Sequence, residues 1–334
     1  MKPKIVTFGE SLLRLAPPGF ERLLQTPYFT ASFGGAEANV AVALASFGMD
    51  AAYVTVLPEK HSIADAAIAE LRRFGVDTSG IIRANGRLGI YYMEQGADQR
   101  AARVIYDREH SALAISKPGD IYWEKAFDGA TWFHISGITP AISASAAALS
   151  LESMNKARAM GLTVSLDLNY RESLWKWGEN PRDVLHEMIE AADILIANEE
   201  HLRMVLDLSA PAQLHELTEA VLTACSGVKA VIVGVRKSGS ASQFKLSACL
   251  NDRDQFVTSR EFNIAQAVDR IGSGDAFTAG LIYGWNQLSS RQEALDFAAA
   301  AGSFKHSIPG DFLRATVEEV QALLRGEQGG RIRR

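Results

Sequence analysis

Apolar and polar positions alternate differently in successive parts of the chain. At the start, Lys4-Ile5-Val6-Thr7-Phe8-Gly9 is a short β-rich run closed by glycine, which predicts a strand deep in a sheet. Leu12 to Phe33 then holds Pro17, Pro18, Gly19 and Pro27 among apolar residues, so helix is disfavoured and short edge strands are expected. Behind Gly34-Gly35, the alanine-rich stretch Ala36 to Phe47 predicts a helix that stops at Gly48, and Ser62 to Phe74 predicts a second before Gly75. Leu88 to Met93 and Arg103 to Tyr106 alternate and are rich in aromatics around a polar turn near Gly96, the pattern of a hairpin. From Trp132 onward strand and helix take turns. Trp132 to Ser136, Thr163 to Asp167, Ile194 to Ala197 and Ala230 to Val233 read as strands, with Ser143 to Ala159 and Arg182 to Ala191 as helices between them.

Strands alternating with helices imply an α/β fold, a doubly wound and mostly parallel sheet whose ligands lie at the carboxyl ends of the strands. The early Pro-interrupted strands and the hairpin together form a small β-layer beside it, a lid candidate. The expected organisation is a single domain over residues 1–325, with the lid contributed by about 11–33 and 86–110, and a frayed basic tail at 326–334.

Polar residues cluster at three of the expected strand ends: Asp167 to Arg171, Asn198-Glu199-Glu200, and the glycine turn Gly272-Ser273-Gly274-Asp275. Glycines at 272 and 274 let successive N–H groups point into one concavity, and the helix opening behind them adds unpaired N–H groups that favour a phosphate. Asp275 stands at that helix start either as a cap and dipole partner or as a base beside the anion site. Asn198 and Glu200 suit a hydrated Mg²⁺ near polyphosphate oxygens, since Mg²⁺ keeps its waters and needs few protein carboxylates. No Gly-x-x-x-x-Gly-Lys-Ser/Thr occurs, and no Gly-x-Gly-x-x-Gly follows the first strand, which argues against a Walker nucleotide site and a dinucleotide fold. His134, His186 and His201 are scattered without a ligand pattern. The net charge of −5 argues against nucleic acid as the main partner. With no bilayer-length apolar run and no signal-peptide pattern at Met1 to Glu10, a cytoplasmic protein without a membrane partner is expected. Cys225 and Cys249 read as reduced core residues.

Asp269-Arg270-Ile271-Gly272-Ser273-Gly274-Asp275-Ala276-Phe277 resembles the C-terminal signature of the PfkB, or ribokinase-like, carbohydrate kinases. Phe33-Gly34-Gly35-Ala36-Glu37-Ala38-Asn39-Val40-Ala41 resembles their N-terminal glycine-pair motif, and the likeness covers nearly the whole chain. It implies ATP as phosphoryl donor with Mg²⁺, Asp275 as catalytic base, and Gly272, Ser273 and Gly274 as the anion hole. It further implies Asn198, Lys237, Gly239, Gly272 and Gly274 on the ATP side, and leaves a monovalent cation open. Two positions depart from the pattern: His201 stands where the Asn-x-x-Glu motif has glutamate, which moves the water-mediated metal role to Glu200, and Arg270 replaces a small residue or threonine.

Within the family, Gly89-Ile90-Tyr91, Tyr106-Asp107-Arg108, Asp167-Leu168-Asn169-Tyr170-Arg171 and His306-Ser307-Ile308-Pro309-Gly310-Asp311-Phe312 resemble the 2-keto-3-deoxygluconate kinases. This implies that Gly34, Tyr91, Tyr106, Arg108, Arg171 and Asp311 contact a sugar acid. Two arginines suit a carboxylate through charge-assisted pairs that a neutral hexose would leave unused. The expected reaction is phosphorylation of 2-keto-3-deoxy-D-gluconate at its terminal hydroxyl to the 6-phosphate. Fructose, ribose and 5-keto-2-deoxygluconate are the alternative acceptors, and a non-catalytic sugar- or nucleotide-binding regulator is the alternative of another class. Exposed edges of lid strands suit pairing into a homodimer.

Overall fold

The computed structural model describes residues 2–208, 213–238, 240 and 242–327. In chain order the strands and helices are β1 (Lys4–Phe8), β2 (Leu12–Ala16), β3 (Thr30–Gly34), α1 (Ala36–Ser46), β4 (Asp50–Pro58), α2 (Ser62–Arg73), β5 (Ile81–Ala84), β6 (Gly89–Glu94), β7 (Arg103–Asp107), α3 (Ala112–Ile115), α4 (Trp123–Ala126) and β8 (Ala130–Ser136). They continue as α5 (Ala144–Ala159), β9 (Thr163–Asp167), α6 (Pro181–Glu190), β10 (Ile194–Asn198), α7 (Glu199–Leu206), α8 (Leu214–Ala224), β11 (Ala230–Ser238), β12 (Phe244–Asn251), β13 (Phe256–Thr258), β14 (Phe262–Ile264), α9 (Ser273–Gln287), α10 (Arg291–Lys305) and α11 (Val317–Leu324).

The large sheet has the order β13-β12-β11-β10-β9-β8-β1-β4-β5, with β14 also paired to β12. From β11 through β5 the neighbours are parallel, and β12, β13 and β14 close one end with antiparallel pairs. The chain leaves β1 toward β4 on one side and returns to β8 on the other, so the strand order reverses beside β1, where such sheets open a ligand crevice. Side chains of β1 leave alternately for two layers. Ile5 packs with Val40 and Leu44 of α1 and with Ile282 and Phe297 of α9 and α10, while Val6 and Phe8 pack with Leu149, Met154, Leu185 and Met188 of α5 and α6. Both faces are covered, which is why these strands read as near-continuous apolar runs. The helix α1 is apolar on almost every side because it too is covered on almost every side, Ala38 to Leu44 being buried throughout.

The small sheet, β3-β2-β6-β7, is separate. Its register sets Arg14 beside Tyr91 and Tyr91 beside Tyr106, so the three share one face. Leu12, Tyr91, Met93, Val104, Tyr106 and Ile271 cluster on that side and bring the small sheet against the glycine turn. Among the described residues no helix is long and apolar enough to cross a membrane. The expected tail lies outside the described residues from 328 on.

Candidate active site

The carboxyl ends of β1, β9, β10 and β11 meet the first turns of α1 and α9 around one cleft of about 380 Å³, roofed by the small sheet. Gly272, Ser273, Gly274 and Asp275 line it together. Gly272 is left-handed, at φ 80, and caps α9. A Cβ there would sit 2.0 Å from the carbonyl oxygen of Asp311, backbone that cannot swing aside. The turn is held from behind by Asp269, which accepts hydrogen bonds from the N–H of Ile271 (3.0 Å) and Gly310 (3.0 Å) and from Arg14 Nη2 (2.7 Å). In α9 the first intrahelical-type bond among these residues is Ala276 N–H to Gly272 O, and the N–H groups of Gly274 and Asp275 have no acceptor among the described residues. Unpaired N–H groups at a helix start are what a phosphoryl oxygen needs. Gly272→Ala is therefore expected to lose both activity and stability, by about 1–3 kcal/mol from the strained φ alone. A melting curve beside an ADP-release assay checks it, and an active, equally stable variant would show that the turn tolerates a side chain.

Asp275 is buried at the end of this turn and accepts a 2.6 Å hydrogen bond from Asn39 Nδ2 of α1. Burial pushes its carboxyl up to about 7; the Asn39 bond pulls the other way, and Asp167, Asp311 and Glu37 push it further up. A carboxyl that titrates near neutrality, in reach of an anion hole, is suited to accept a hydroxyl proton. Glu37 itself is structural. Its Oε1 accepts from Ser136 N (3.0 Å), Ser136 Oγ (2.7 Å) and Thr139 Oγ1 (2.8 Å), tying the end of β8 to the start of α1.

Tyr91, Tyr106 and Arg108 from the small-sheet region, Arg171 from the loop after β9, and Asp311 all line the cleft. Tyr91 and Asp311 spend their polar atoms on each other and on Arg14. The Tyr91 hydroxyl donates to Asp311 at 2.6 Å, and Arg14 Nη1 donates to Asp311 Oδ1 at 2.8 Å. Gly34 packs against that carboxylate, where a Cβ would lie 1.9 Å from Asp311 Oδ2, and it is Gly35 that lines the cleft. Arg108 is bound to Glu10 through Nε, at 2.5 Å, and through Nη2, which leaves its buried Nη1 without a partner. Of the two arginines expected on a carboxylate, Arg171 is thus the one whose guanidinium forms no hydrogen bond or ion pair with a described residue. Asp167, beside it, is pushed up to about 6, by burial first.

Asn198 also lines the cleft, and its Oδ1 accepts the N–H of His201 at 2.7 Å, capping α7. His201 also lines the cleft, and burial, with Arg171 nearby, lowers its pKa to about 4, so the imidazole is neutral at neutral pH. Glu200 is exposed and does not line the cleft. Lys237 points outward to Glu261, 3.2 Å away, while its neighbour Arg236 points in. Gly239 lies outside the described residues. Val235, Leu246, Phe277 and Ala299 give this end an apolar lining, suited to a nucleobase. Together with the unpaired N–H groups, the residues fit a nucleoside triphosphate. Among the described residues no cluster of three or more His, Cys, Asp or Glu could hold a metal, so a Mg²⁺ would be held mainly through water, with Asp167 and Asn198 as the available protein groups. Arg14, Glu10, Asn39, Arg236 and Asp269 are the site residues that sequence reasoning left out.

A glycine turn with unpaired N–H groups, a near-neutral carboxyl beside it and a cleft under a small sheet are the parts of a phosphotransferase with a hydroxyl group as acceptor. The chain belongs to the pfkB family of carbohydrate kinases, whose model it matches over residues 2–311. It is 32% identical to the 2-dehydro-3-deoxygalactonokinase of Haloferax volcanii over 330 residues, 99% of each chain. The crystal structure of 2-dehydro-3-deoxygluconokinase from Thermotoga maritima superposes with a TM-score of 0.91 at 42% identity, covering 97% of this chain and 100% of that one. Fructokinase from Xylella fastidiosa with bound ATP, 26% identical, superposes with a TM-score of 0.81 over 98% of this chain and 99% of its own.

Proposed function

We propose that the chain transfers the γ-phosphoryl group of ATP to the terminal hydroxyl of 2-keto-3-deoxy-D-gluconate, giving the 6-phosphate. The observation that carries the reading is Arg171, a cleft-lining guanidinium without a hydrogen bond or ion pair to a described residue, in the same cleft as Arg108, whose Nη1 is unpartnered. A sugar carboxylate would satisfy both, and a neutral ketose would leave Arg171 unmatched. Relatives named for 2-dehydro-3-deoxy sugar acids support the same class.

In the reaction Asp275 takes the proton of the attacking hydroxyl. The N–H groups of the Gly272 to Asp275 turn stabilise charge gathering on the transferring group, and their donors stand ready before the substrate arrives. Mg²⁺, when bound with ATP, neutralises phosphate charge. The small sheet, with Tyr91 and Tyr106 over the sugar, closes the cleft to water and so limits hydrolysis of ATP. Exposed Phe20, Leu24, Tyr28 and Ile105 on and beside that sheet support a homodimer through the lid; light scattering checks it.

The test is ADP release with 2-keto-3-deoxygluconate, 2-keto-3-deoxygalactonate, 5-keto-2-deoxygluconate, gluconate, fructose and ribose. Turnover on fructose or ribose with none on the deoxy sugar acids would sink the reading. Silence with every sugar, combined with tight nucleotide binding, would favour the regulator instead. Arg171→Gln is expected to raise KM for the acid about 10- to 100-fold, the loss of a charged hydrogen-bonded pair, with kcat changed little. An unchanged KM would remove Arg171 from substrate recognition.

A further inference from the structure

Arg270, two residues before Gly272, takes no part in the steps above, and it stands where the family signature has a small residue or threonine. Its guanidinium lies over the ring of Phe244, 5.3 Å from the centroid. Arg236, from β11, lies over the same ring at 4.0 Å. Both arginines line the cleft, together with Gly272 to Asp275. Phe244 is buried, packed with Leu246, Ile264 and Ala267 and against the neutral ring of His306 at 5.0 Å, so the platform is rigid. Arg236 forms no ion pair among the described residues. Two guanidinium groups gathered on one ring set two positive charges side by side in the cleft. An anion received beside the glycine turn would meet both charges.

We propose that Arg236 and Arg270 form a clamp for the polyphosphate of the donor nucleotide, with Phe244 as the platform that spaces them. The proposal rests on the kinase reading of the same cleft and adds to it the residues that recognise the donor's phosphates. The clamp also answers the exchange at His201. A neutral imidazole stands where the family motif has an acidic side chain, and in this chain fixed positive charge lines the donor end of the cleft. Arginine suits the task because its planar fork meets two phosphate oxygens at once and keeps its charge when partly buried.

Calorimetric titration of the full chain with ADP, AMP and adenosine, without added divalent cation, separates phosphate recognition from base recognition. Arg236→Gln and Arg270→Gln are each expected to weaken ADP about tenfold or more and the double variant further, with AMP affected less and adenosine unchanged. The salt dependence of ADP binding should become shallower in the same order. Arg236→Lys and Arg270→Lys, which keep the charge, should recover part of the loss. KM for the sugar acid should stay at the wild-type value. ADP affinity within twofold of wild type in the double variant overturns the clamp while leaving the kinase reading intact. Equal losses for ADP and adenosine also overturn it, since they would mean that the arginines only brace Phe244. A wild-type chain that binds none of the three nucleotides overturns both.

Discussion

Replacing Asp275 with asparagine is expected to lower kcat about 10²- to 10⁴-fold, the usual contribution of a positioned base, while substrate and nucleotide still bind. The cause is local. The amide oxygen of the substituted side chain would still accept the hydrogen bond of Asn39, so the turn keeps its shape, but it is not basic enough to take the hydroxyl proton. In the wild-type chain, kcat/KM should fall as pH drops through about 7, because burial has raised the carboxyl to that value and only its ionised form is a base. The variant's residual rate should lack this limb. Steady-state ADP release between about pH 5.5 and 8.5 measures both, and a variant within tenfold of the wild-type rate would take the base role away from Asp275.

The same substitution has an opposite effect on stability. A carboxyl whose folded pKa lies near 7, against 3.8 in the unfolded chain, binds its proton more tightly when folded. That favours the folded state in acid, and the advantage is lost as pH rises from about 4 to about 7. Above that range the folded chain carries a buried charge at a cost on the order of a few kcal/mol, which the asparagine does not incur. Asp275→Asn should therefore melt no lower than wild type at pH 8, and its margin over wild type should shrink in acid.

Much of this is legible in the sequence because the informative residues are local. The Gly272 to Asp275 turn is four consecutive residues, and the glycine pair at 34 and 35 announces a helix start that the structure places at Ala36. The alternation of strands and helices from Trp132 onward carries the parallel order directly. Residues that act over long separations are not legible. Arg14 sits in a Pro-flanked edge strand, where an arginine reads as surface, yet its partners Asp269 and Asp311 are 255 and 297 residues away. Lys237 lies nearer the loop glycine, but a strand sends adjacent side chains to opposite faces, and it is Arg236 that faces the cleft. Glu200 is the acid next to the position where the motif's glutamate is missing. Once Asn198 caps α7, however, one step along the helix turns a side chain by roughly 100°, and position 200 faces solvent. The strand β4, an apolar run from Asp50 to Pro58, has no polar alternation to mark it because it is buried on both faces.

Arg14→Met is expected to be the most destabilising single change outside the core, by about 3–5 kcal/mol, because it removes one partner from a buried charge network. Arg14 is buried, and although burial by itself would lower its pKa, Tyr91, Asp311 and Asp269 around it raise the value overall, so it stays charged. Without it, two buried carboxylates would face each other, with the buried Lys305 as the nearby cation. The network also joins separate parts of the fold: Arg14 belongs to the small sheet, Asp269 anchors the glycine turn, and Asp311 carries the loop whose carbonyl packs against Gly272. Loss of kcat should accompany the loss of stability, since the turn would no longer be held at its base. Arg14→Met combined with Asp269→Asn and Asp311→Asn separates the two effects. Neutralising the carboxylates should return much of the melting temperature, because the unpaired charges are gone, yet activity should stay low, because the small sheet remains uncoupled from the turn. If Arg14→Met alone kept the wild-type melting temperature and rate, the small sheet would be positioned by its apolar contacts, and the buried charges would be spectators.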